Sequence, residues 1–588
     1  MHIIDMSSKR TEKNSVSESL SSKSDSSQKQ NRVLGGMFDN RLKSQALYTE
    51  NSSSFDSETI GCSTEFTKKR KYASLPEYDF ERDGSLINTT QSIDGDVLES
   101  YWIEPGISLI KIVKTCDFEN VYVVYEPSMT EGEIYLLKHI SENIRDLLIQ
   151  KEVNVDNKIK VLYDAIDYLI SEYGISNQVK PQTIYKIRYY LKRNFFGLGR
   201  IDPLKGDTEL EDISCDGYRC PIYVYHKRYR DMRTSIVFLD PKELDSLVVL
   251  FAQKSGREIS LADPIVDATL TDGSRIQLTY SNIVSSQGST FSIRKFKKTP
   301  YSPIDLINNG TFTIEEMTYI WFAIEYNFSA LIIGGTASGK TTTLNAVAQF
   351  IPALSKIVSI EDTREITLYH ENWIASVVSP DSSNIGSNKH KITMFDLLKA
   401  AMRQRPEYIL VGEVRGDEAQ TLFQAMNTGH TTFSTLHAGD IVAAVSRLQN
   451  PPLNIPKSAI QTLDIVITLS RMYIGGDQVR RCIEIVEMAG LTESGDLEVN
   501  TVFSYDFHKE KVIYSGTSEI YSKIMRRTNR TIMELKSEMY IRNTILESMI
   551  AQNINDFKDF VKIIWTYSSR PDYVMENIEN LRTIVNSK

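Results

Sequence analysis

The sequence predicts an α/β protein whose C-terminal half contains a parallel-rich sheet, preceded by a hinged α/β domain and a helical N-terminal subdomain. From about residue 302 onward, apolar strand-like runs alternate with helical patterns, which is the order typical of a parallel sheet. A glycine-rich loop stands between one such run and a helix at residues 331–346. Strand and helix patterns are mixed upstream of residue 297. The 588 residues suffice for about three or four domains.

Residues 1–95 are predicted to be a disordered, serine-rich tail. Residues 15–27 hold eight serines in thirteen positions, and such a segment buries too little apolar surface to offset the entropy of ordering. The basic run "KKRK" at Lys68–Lys71 suits a contact with anionic lipid, or it is an ordinary solvated charge run.

Five further segments are predicted from residue 96 onward. Residues 96–200 form a strand and helical subdomain, because alternating patterns precede long stretches with helical spacing. Residues 201–297 mix strands with one helix and form an α/β domain, and residues 298–303, with two prolines, form a hinge linker. Residues 304–505 carry the alternating strands and helices, and residues 506–588 form a C-terminal helical region.

The composition restricts the class of protein. No window approaches eighteen consecutive apolar residues, and the N-terminus lacks the apolar core of a signal peptide, so we expect a cytoplasmic protein. The five cysteines include no C-x-x-C pair, which argues against a disulfide framework or a structural zinc site. The net charge of −9 argues against a surface that binds nucleic acid throughout.

The most informative segment is the glycine-rich loop. Residues 334–341, "GGTASGKT", match the pattern G-x-x-x-x-G-K-[ST] between an apolar strand and a helix. In this pattern backbone N–H groups surround an anion, Lys340 reaches the β- and γ-phosphates, and the Thr341 hydroxyl ligates Mg²⁺. ATP and Mg²⁺ are therefore the predicted cofactors. The predicted nucleotide contacts are Gly334, Gly335, Thr336, Ala337, Ser338, Gly339, Lys340, Thr341 and Thr342.

Two later strands end in carboxylates. Glu361 and Asp362 follow the apolar run of "KIVSIEDTREITL", and Glu413 follows that of "PEYILVGEVRGDEA". Acidic residues at strand ends beside a phosphate loop are placed to hold Mg²⁺ and the attacking water. Gly412 stands where Asp usually precedes the Glu, so this strand supplies one carboxylate, and we expect Glu361 and Asp362 to supply the others.

The run "TGHTTFSTLHAGD" places His430 and His437 seven residues apart on a predicted strand. No third metal ligand stands nearby, so we reject a zinc site. A polar contact that senses the γ-phosphate fits better, with His437 the stronger candidate, although a structural histidine is an equal alternative from these residues alone.

These motifs together resemble the secretion-type ATPases of archaeal type IV filaments. That group includes the archaellum motor, the archaeal pilus-assembly ATPases and the related type II secretion ATPases. In that family the four stretches are the Walker A motif, the Asp box, the Walker B motif and the His box, in this order, and Gly412–Glu413 is itself the family's pattern. Upstream, "GLGRIDPLKGDTELEDISCDG", "DGSRIQLT" and "SIRKF" resemble the family's N-terminal domain, so the resemblance covers roughly residues 100–570.

The resemblance implies a hexameric ring whose subunits each hinge an N-terminal α/β domain to a RecA-like C-terminal ATPase domain. Glu413 and Glu361 would position Mg²⁺ and activate water, with Asp362 a further Mg²⁺ ligand, partly through water. His437 would contact the γ-phosphate, and Arg275 and Arg294 would reach the nucleotide across the hinge or from a neighbouring subunit. Arg403, Arg405 and Arg415 are additional candidates, with surface ion pairs as the alternative role.

The implied activity is ATP hydrolysis by a homohexamer on the inner face of the cell membrane. It would act on a polytopic membrane platform and drive assembly or rotation of a pilus-like filament, or secretion. The sequence does not separate archaellum rotation, pilus assembly and secretion, nor Glu413 from Glu361 as the general base. The alternative from another class is a nucleic-acid translocase, which the acidic composition and the absence of a basic, aromatic stripe disfavour.

Overall fold

The computed structural model describes residues 75–88, 95–117, 119–150, 157–175, 178–297, 299–378, 392–475, 477–493 and 496–586. They belong to two compact units that divide between Lys295 and Phe296. The basic run Lys68–Lys71 and most of the predicted tail lie outside the described residues.

The first unit is built on one nine-stranded sheet. Its strands are β1 (Asp96–Glu104), β2 (Ser108–Lys114), β3 (Asn120–Tyr125), β4 (Leu210–Cys215), β5 (Pro221–His226), β6 (Arg230–Val237), β7 (Ile265–Thr269), β8 (Arg275–Thr279) and β9 (Thr290–Arg294). They lie in the order β1-β2-β3-β6-β5-β4-β9-β8-β7. The pairing of β3 with β6 is parallel and the others are antiparallel. One sheet therefore spans both predicted N-terminal segments.

Helices of the first unit pack in two places. They are α1 (Phe80–Asp83), α2 (Glu131–Gln150), α3 (Lys158–Glu172), α4 (Pro181–Phe195), α5 (Asp202–Gly206) and α6 (Pro241–Lys254). Helices α2, α3 and α4 share a cluster of buried side chains that includes Ile140, Ile166 and Ile187. Helix α6 packs on the sheet, where the Phe251 ring meets the Phe291 ring edge-on at 5.2 Å.

Packing begins inside the stretch predicted to be a tail. Leu86 and Ile87 are buried, and Ile87 shares a cluster with Leu109 of β2 and Val123 of β3. Leu86 packs instead with Ile107 and with Tyr185 of α4. The tail prediction does not anticipate this packing, because the apolar partners of both residues lie more than twenty residues downstream, which a local composition count does not include.

The second unit contains the predicted RecA-like sheet. Its strands are β10 (Ala330–Gly334), β11 (Ile357–Glu361), β12 (Trp373–Val377), β13 (Tyr408–Val411), β14 (Thr431–His437), β15 (Ile465–Ile474), β16 (Asp477–Leu491), β17 (Leu497–Asp506) and β18 (Lys511–Tyr514). They lie in the order β12-β11-β13-β14-β10-β15-β16-β17-β18. The six strands from β12 to β15 in that order are parallel to one another, and β16 to β18 extend the sheet beyond β15 with antiparallel pairs.

Both faces of this sheet are covered. Alternate residues of β10 enter different cores: Ile332 belongs to one buried cluster and Ile333 to another. This is the burial expected of a parallel sheet between helical layers. The helices are α7 (Pro303–Asn308), α8 (Ile314–Glu325), α9 (Lys340–Val347), α10 (Met394–Arg403), α11 (Glu418–Asn427), α12 (Ile441–Gln449) and α13 (Lys457–Ile460).

The C-terminal region differs in one respect from the prediction of an all-helical segment after residue 506. Strand β18 pairs antiparallel with β17 before the helices begin. The strand has only four residues, and all of them are exposed or half-buried. So short a stretch does not show a strand pattern in the sequence. The helices that follow are α14 (Glu519–Thr528), α15 (Ile532–Ala551), α16 (Phe557–Ser569), α17 (Pro571–Glu576) and α18 (Arg582–Asn586). Within the described residues, no helix combines the length and apolarity needed to cross a bilayer.

Candidate nucleotide site

The phosphate loop leaves the carboxyl end of β10, between β14 and β15. Gly334 is the last residue of the strand and pairs with His437 on one side and Leu469 on the other. A Cβ atom at Gly334 would lie 2.4 Å from the Leu469 carbonyl oxygen and 2.5 Å from Ser338 Oγ. Only glycine fits here, because a carbonyl of the neighbouring strand β15 and a side chain of the loop occupy the space that a Cβ atom would need.

Left-handed backbone conformations shape the remainder of the loop. Gly339, at the N-cap of α9, has φ 94°, and Ala337 has φ 58°. Gly335, Thr336 and Ala337 are exposed, while Ser338 Oγ donates to the Gly335 carbonyl over 3.0 Å. The loop thus precedes the positive end of an eight-residue helix, which is the geometry that favours an anion.

Lys340 is buried within the phosphate loop. Only 7% of the residue is exposed, and its Nζ donates to the carbonyls of Gly334 over 3.1 Å and Gly335 over 2.8 Å. The same Nζ lies 3.4 Å from His437 Nδ1. Burial lowers the pKa of Lys340, and the negative charge of Glu413 opposes that shift.

Thr341 and Thr342 occupy the first turn of α9, directly after Lys340, and both are half-buried. The Thr341 hydroxyl therefore stands at the same helix end as the lysine. A hydroxyl at this position is the oxygen donor that a phosphate-bound Mg²⁺ requires.

His437 ends β14 and connects the lysine to a carboxylate. Its Nε2 lies 3.6 Å from Glu413 Oε1, while its backbone carbonyl accepts a bond from Arg447 over 2.6 Å. Burial and the positive charge of Lys340 hold the pKa of His437 below 6.5, which favours a neutral ring. His430 precedes the opposite end of this seven-residue strand and contacts Thr428 Oγ1 instead, so only one of the two predicted histidines reaches the loop.

Glu413 lies just beyond β13 and is held by an arginine. Arg415 Nη2 donates to Glu413 Oε2 over 2.5 Å, and Arg415 Nη1 lies 3.6 Å from Asp362 Oδ2. The hydrogen bond with Glu413 raises the pKa of Arg415. Lys340, His437, Glu413, Arg415 and Asp362 thus form one continuous chain of charged and polar groups along the carboxyl edge of the parallel strands.

Glu361 is placed differently from Glu413. Its side chain is buried, with 1% exposed, and its Oε1 accepts from the backbone N–H groups of Glu365 over 2.8 Å and Ile366 over 2.9 Å. Its Oε2 is buried without a hydrogen-bond partner. Burial raises the pKa of Glu361 to about 7, although the two N–H groups act in the opposite direction.

Steric crowding explains why a glycine, Gly412, precedes Glu413. A Cβ atom at Gly412 would lie 3.3 Å from Glu361 Cγ, so a larger residue would crowd the buried carboxylate. The Gly412 carbonyl also accepts from Thr435 Oγ1 of β14 over 2.7 Å. The glycine therefore leaves room for the buried Glu361 side chain at the end of the neighbouring strand.

The two predicted arginines lie in the first unit. Arg275 begins β8 and Arg294 ends β9, and they stand directly opposite each other in the antiparallel register. Such partners project from the same face of a sheet. The candidates Arg403 and Arg405 are exposed at and after the end of α10, without a contact to the chain of groups described above.

Sequence reasoning missed two residues that shape the site. Arg480 of β16 donates from Nε to the Ala337 carbonyl over 3.0 Å. Glu418, at the start of α11, accepts from the backbone N–H groups of Arg415 and Gly416 over 2.6 and 2.8 Å. Glu418 could have been found, because an acid at a helix start commonly bonds the preceding turn. No local pattern indicates Arg480.

The oxygen donors at this edge fit Mg²⁺ bound together with phosphate. Within the described residues, no three His, Cys, Asp or Glu side chains cluster to hold a metal ion alone. Mg²⁺ ordinarily keeps several waters and uses one or two protein ligands plus substrate phosphates. The Thr341 hydroxyl and the carboxylates of Glu413 and Asp362 are donors of that type.

Comparison with known proteins finds a matching family, related sequences and a solved structure. The type II/IV secretion system protein family matches residues 257–549. An uncharacterized protein of Methanocaldococcus jannaschii is 36% identical over 78% of this chain and 87% of its own. The conjugal transfer protein TrbB of Rhizobium radiobacter is 32% identical over 39% of this chain and 68% of its own. The solved ATPase DotB of Legionella pneumophila is 15% identical, with a TM-score of 0.33 over 58% of this chain and 84% of its own.

Proposed function

Because the chain belongs to the type II/IV secretion system protein family of ATPases, we propose that it hydrolyses ATP at residues 334–342 and converts the reaction into mechanical work. The observation that carries this proposal is the convergence of Lys340, His437 and Glu413 at the carboxyl edge of the parallel strands. A loop that only binds an anion requires no more than the lysine. A site that also hydrolyses the terminal phosphate needs a carboxylate and a polar contact beside it.

Lys340 is the group that we assign to the β- and γ-phosphates. Its Nζ donates to two loop carbonyls, and phosphate oxygens are charged acceptors that form stronger bonds with an ammonium group. His437 lies 3.4 Å from the same Nζ, so we assign it to a contact with the γ-phosphate.

The two glutamates have separable roles. Glu413 is the carboxylate next to His437, and we assign it to the attacking water and the phosphate-bound Mg²⁺, with Asp362 as a further ligand. Mg²⁺ held by Thr341 and these carboxylates would neutralise the charge of the phosphates. Glu361 holds the strand-end turn through its Oε1. Its buried Oε2 has no hydrogen-bond partner and its pKa is about 7, so it is the second candidate for the general base beside Glu413.

We assign Arg275 and Arg294 to stabilising the transition state of ATP hydrolysis. The strand register places Arg275 directly opposite Arg294. Two positive charges in this arrangement repel each other, and a nearby anion reduces the repulsion. Asp212 of β4 lies opposite Arg294 on its other side and offsets part of this positive charge. An arginine that reaches the nucleotide from another domain or subunit couples hydrolysis to domain closure.

The working assembly is a homohexamer that associates peripherally with the inner face of the cell membrane. It acts there on a polytopic platform protein and drives assembly or rotation of a pilus-like filament such as an archaellum or pilus, or related secretion. The archaeal relative and the four ordered motifs support this reading. A nucleic-acid translocase remains the second candidate because one relative is named a conjugal transfer protein.

ATP turnover of the full-length protein distinguishes the two candidates. We expect vesicles of archaeal-type anionic polar lipids to stimulate turnover, and single-stranded or duplex DNA to leave it unchanged. Neutral vesicles are the control for a general surface effect. Stimulation by DNA with indifference to both lipids would replace the filament motor with the translocase.

A further inference from the structure

Arg480 contacts the phosphate loop from outside the four motifs. It stands on β16, and its Nε–H donates to the Ala337 carbonyl over 3.0 Å. A Cβ atom at Gly339 would lie 3.4 Å from Arg480 Cδ, so the side chain also packs beside the glycine at the N-cap of α9. One arginine therefore holds two positions of the loop.

The carbonyl that Arg480 holds belongs to a strained residue. Ala337 has φ 58°, a conformation that a residue with a Cβ keeps only where its surroundings impose it. Ala337 is exposed, so tight packing does not supply that constraint. A loop released from this conformation would present its N–H groups to phosphate for a smaller fraction of the time, and the apparent Kd would rise in proportion.

The neighbouring arginines differ in the sheet face that they occupy. Arg480 lies directly opposite Arg471 in the register of β15 with β16, so two positive side chains share one sheet face beside the loop. Arg481, the next residue, belongs to the opposite face because side chains alternate along a strand. Its Nη1 donates to the Asn309 carbonyl over 3.1 Å, away from the loop.

We propose that Arg480 is a positioning residue of the nucleotide site: its Nε–H holds the Ala337 carbonyl and thereby keeps the loop in its phosphate-binding conformation. This inference rests on the proposed function, since it takes ATP as the ligand of the loop. Arg480 acts through the backbone of Ala337 and is not itself assigned to the chemical step.

Two substitutions separate the hydrogen bond from the charge. Glutamine carries its amide nitrogen as many bonds from Cα as arginine carries Nε, so Arg480→Gln keeps a donor in place and removes the charge. Arg480→Met has a similar length and removes both, and Arg480→Leu, tested in parallel, removes both with another shape. Arg481→Met is the matched control on the opposite face of the same strand.

The experiment measures the Kd of full-length protein for a fluorescent ATP analogue, and the KM and kcat of ATP turnover. We expect Arg480→Met and Arg480→Leu to raise Kd and KM about tenfold, the loss typical of one hydrogen bond from a charged donor, with kcat within about twofold. Arg480→Gln and Arg481→Met should stay within about threefold of the wild type in Kd.

Two results would overturn this role for Arg480: an unchanged Kd in Arg480→Met and Arg480→Leu, or an Arg480→Gln variant as weak as Arg480→Met. The second result would show that charge acts and the hydrogen bond does not. A wild-type protein that binds no nucleotide would instead contradict the proposed function, so the two failures are distinguishable.

Discussion

Glu361 predicts a dependence of stability on pH that its substitution should remove. Burial raises the pKa of this carboxyl from 4.5 to about 7 in the folded protein, so between these pH values the unfolded chain is ionised while the folded one stays protonated. The folded state then binds more protons, and wild-type stability falls as pH rises through this window. Above pH 7 both states are ionised and the loss is complete.

The magnitude follows from the difference between the two pKa values. At about 1.4 kcal/mol per pH unit, the window between 4.5 and about 7 corresponds to about 3 kcal/mol, of which about 2–3 kcal/mol falls between pH 5 and pH 8. Glu361→Gln keeps an oxygen to accept the N–H groups of Glu365 and Ile366 and does not titrate. We therefore expect the variant to gain stability relative to the wild type as pH rises.

Thermal unfolding of the nucleotide-free, full-length protein in a chelating buffer measures this effect. For a domain of this size, the expected gain of Glu361→Gln in Tm over wild type grows by about 4–8 °C from pH 5 to pH 8. Glu371→Gln, which changes an exposed carboxylate, should show no such growth. A Tm difference for Glu361→Gln that stays constant or shrinks with rising pH would refute the burial of a protonated Glu361.

Four further substitutions test the proposed roles in turnover. Glu413→Gln should retain ATP binding within a few-fold and lose hydrolysis by about a hundredfold or more, because the amide cannot act on water; a loss of binding would make Glu413 a structural residue. Arg275→Ala and Arg294→Ala should each spare ATP binding and reduce kcat by about tenfold or more, and wild-type kcat in both would return them to surface ion pairing. Gly412→Ala should lower kcat and leave the ATP Kd unchanged, because the added methyl group displaces Glu361; a wild-type kcat would mean that the strand ends tolerate the crowding.

The phosphate loop and the strand-end carboxylates were predictable because each depends on a few adjacent residues. An apolar run, two glycines and Lys340 define strand, turn and helix within about twelve positions, and the carboxyl ends of parallel strands meet at one edge. Glu413 and His437 therefore lie near Lys340 once the strand order places β14 beside β10 and β13 beside β14. His430 could not reach this edge, because it precedes the strand that His437 ends.

Other features depend on distant pairing and could not be read locally. Arg480 and Ala337 are 143 residues apart, and their contact requires the register of β15 with β16. The high pKa of Glu361 arises from burial and from a turn that folds back on it, whereas the sequence marks it only as an acid at a strand end. The packing of Ile87 likewise depends on strands that follow it in the chain, and that of Leu86 on a later helix.

The central claim is that the loop around Lys340 binds and hydrolyses ATP. Steady-state ATP turnover of the full-length wild type beside Lys340→Ala tests it most directly, with far-ultraviolet circular dichroism to confirm that both proteins are folded. We predict measurable hydrolysis in the wild type and none above background in Lys340→Ala, because the loop loses its positive charge on the β- and γ-phosphates. Equal turnover in the two folded proteins would contradict the assignment of the site.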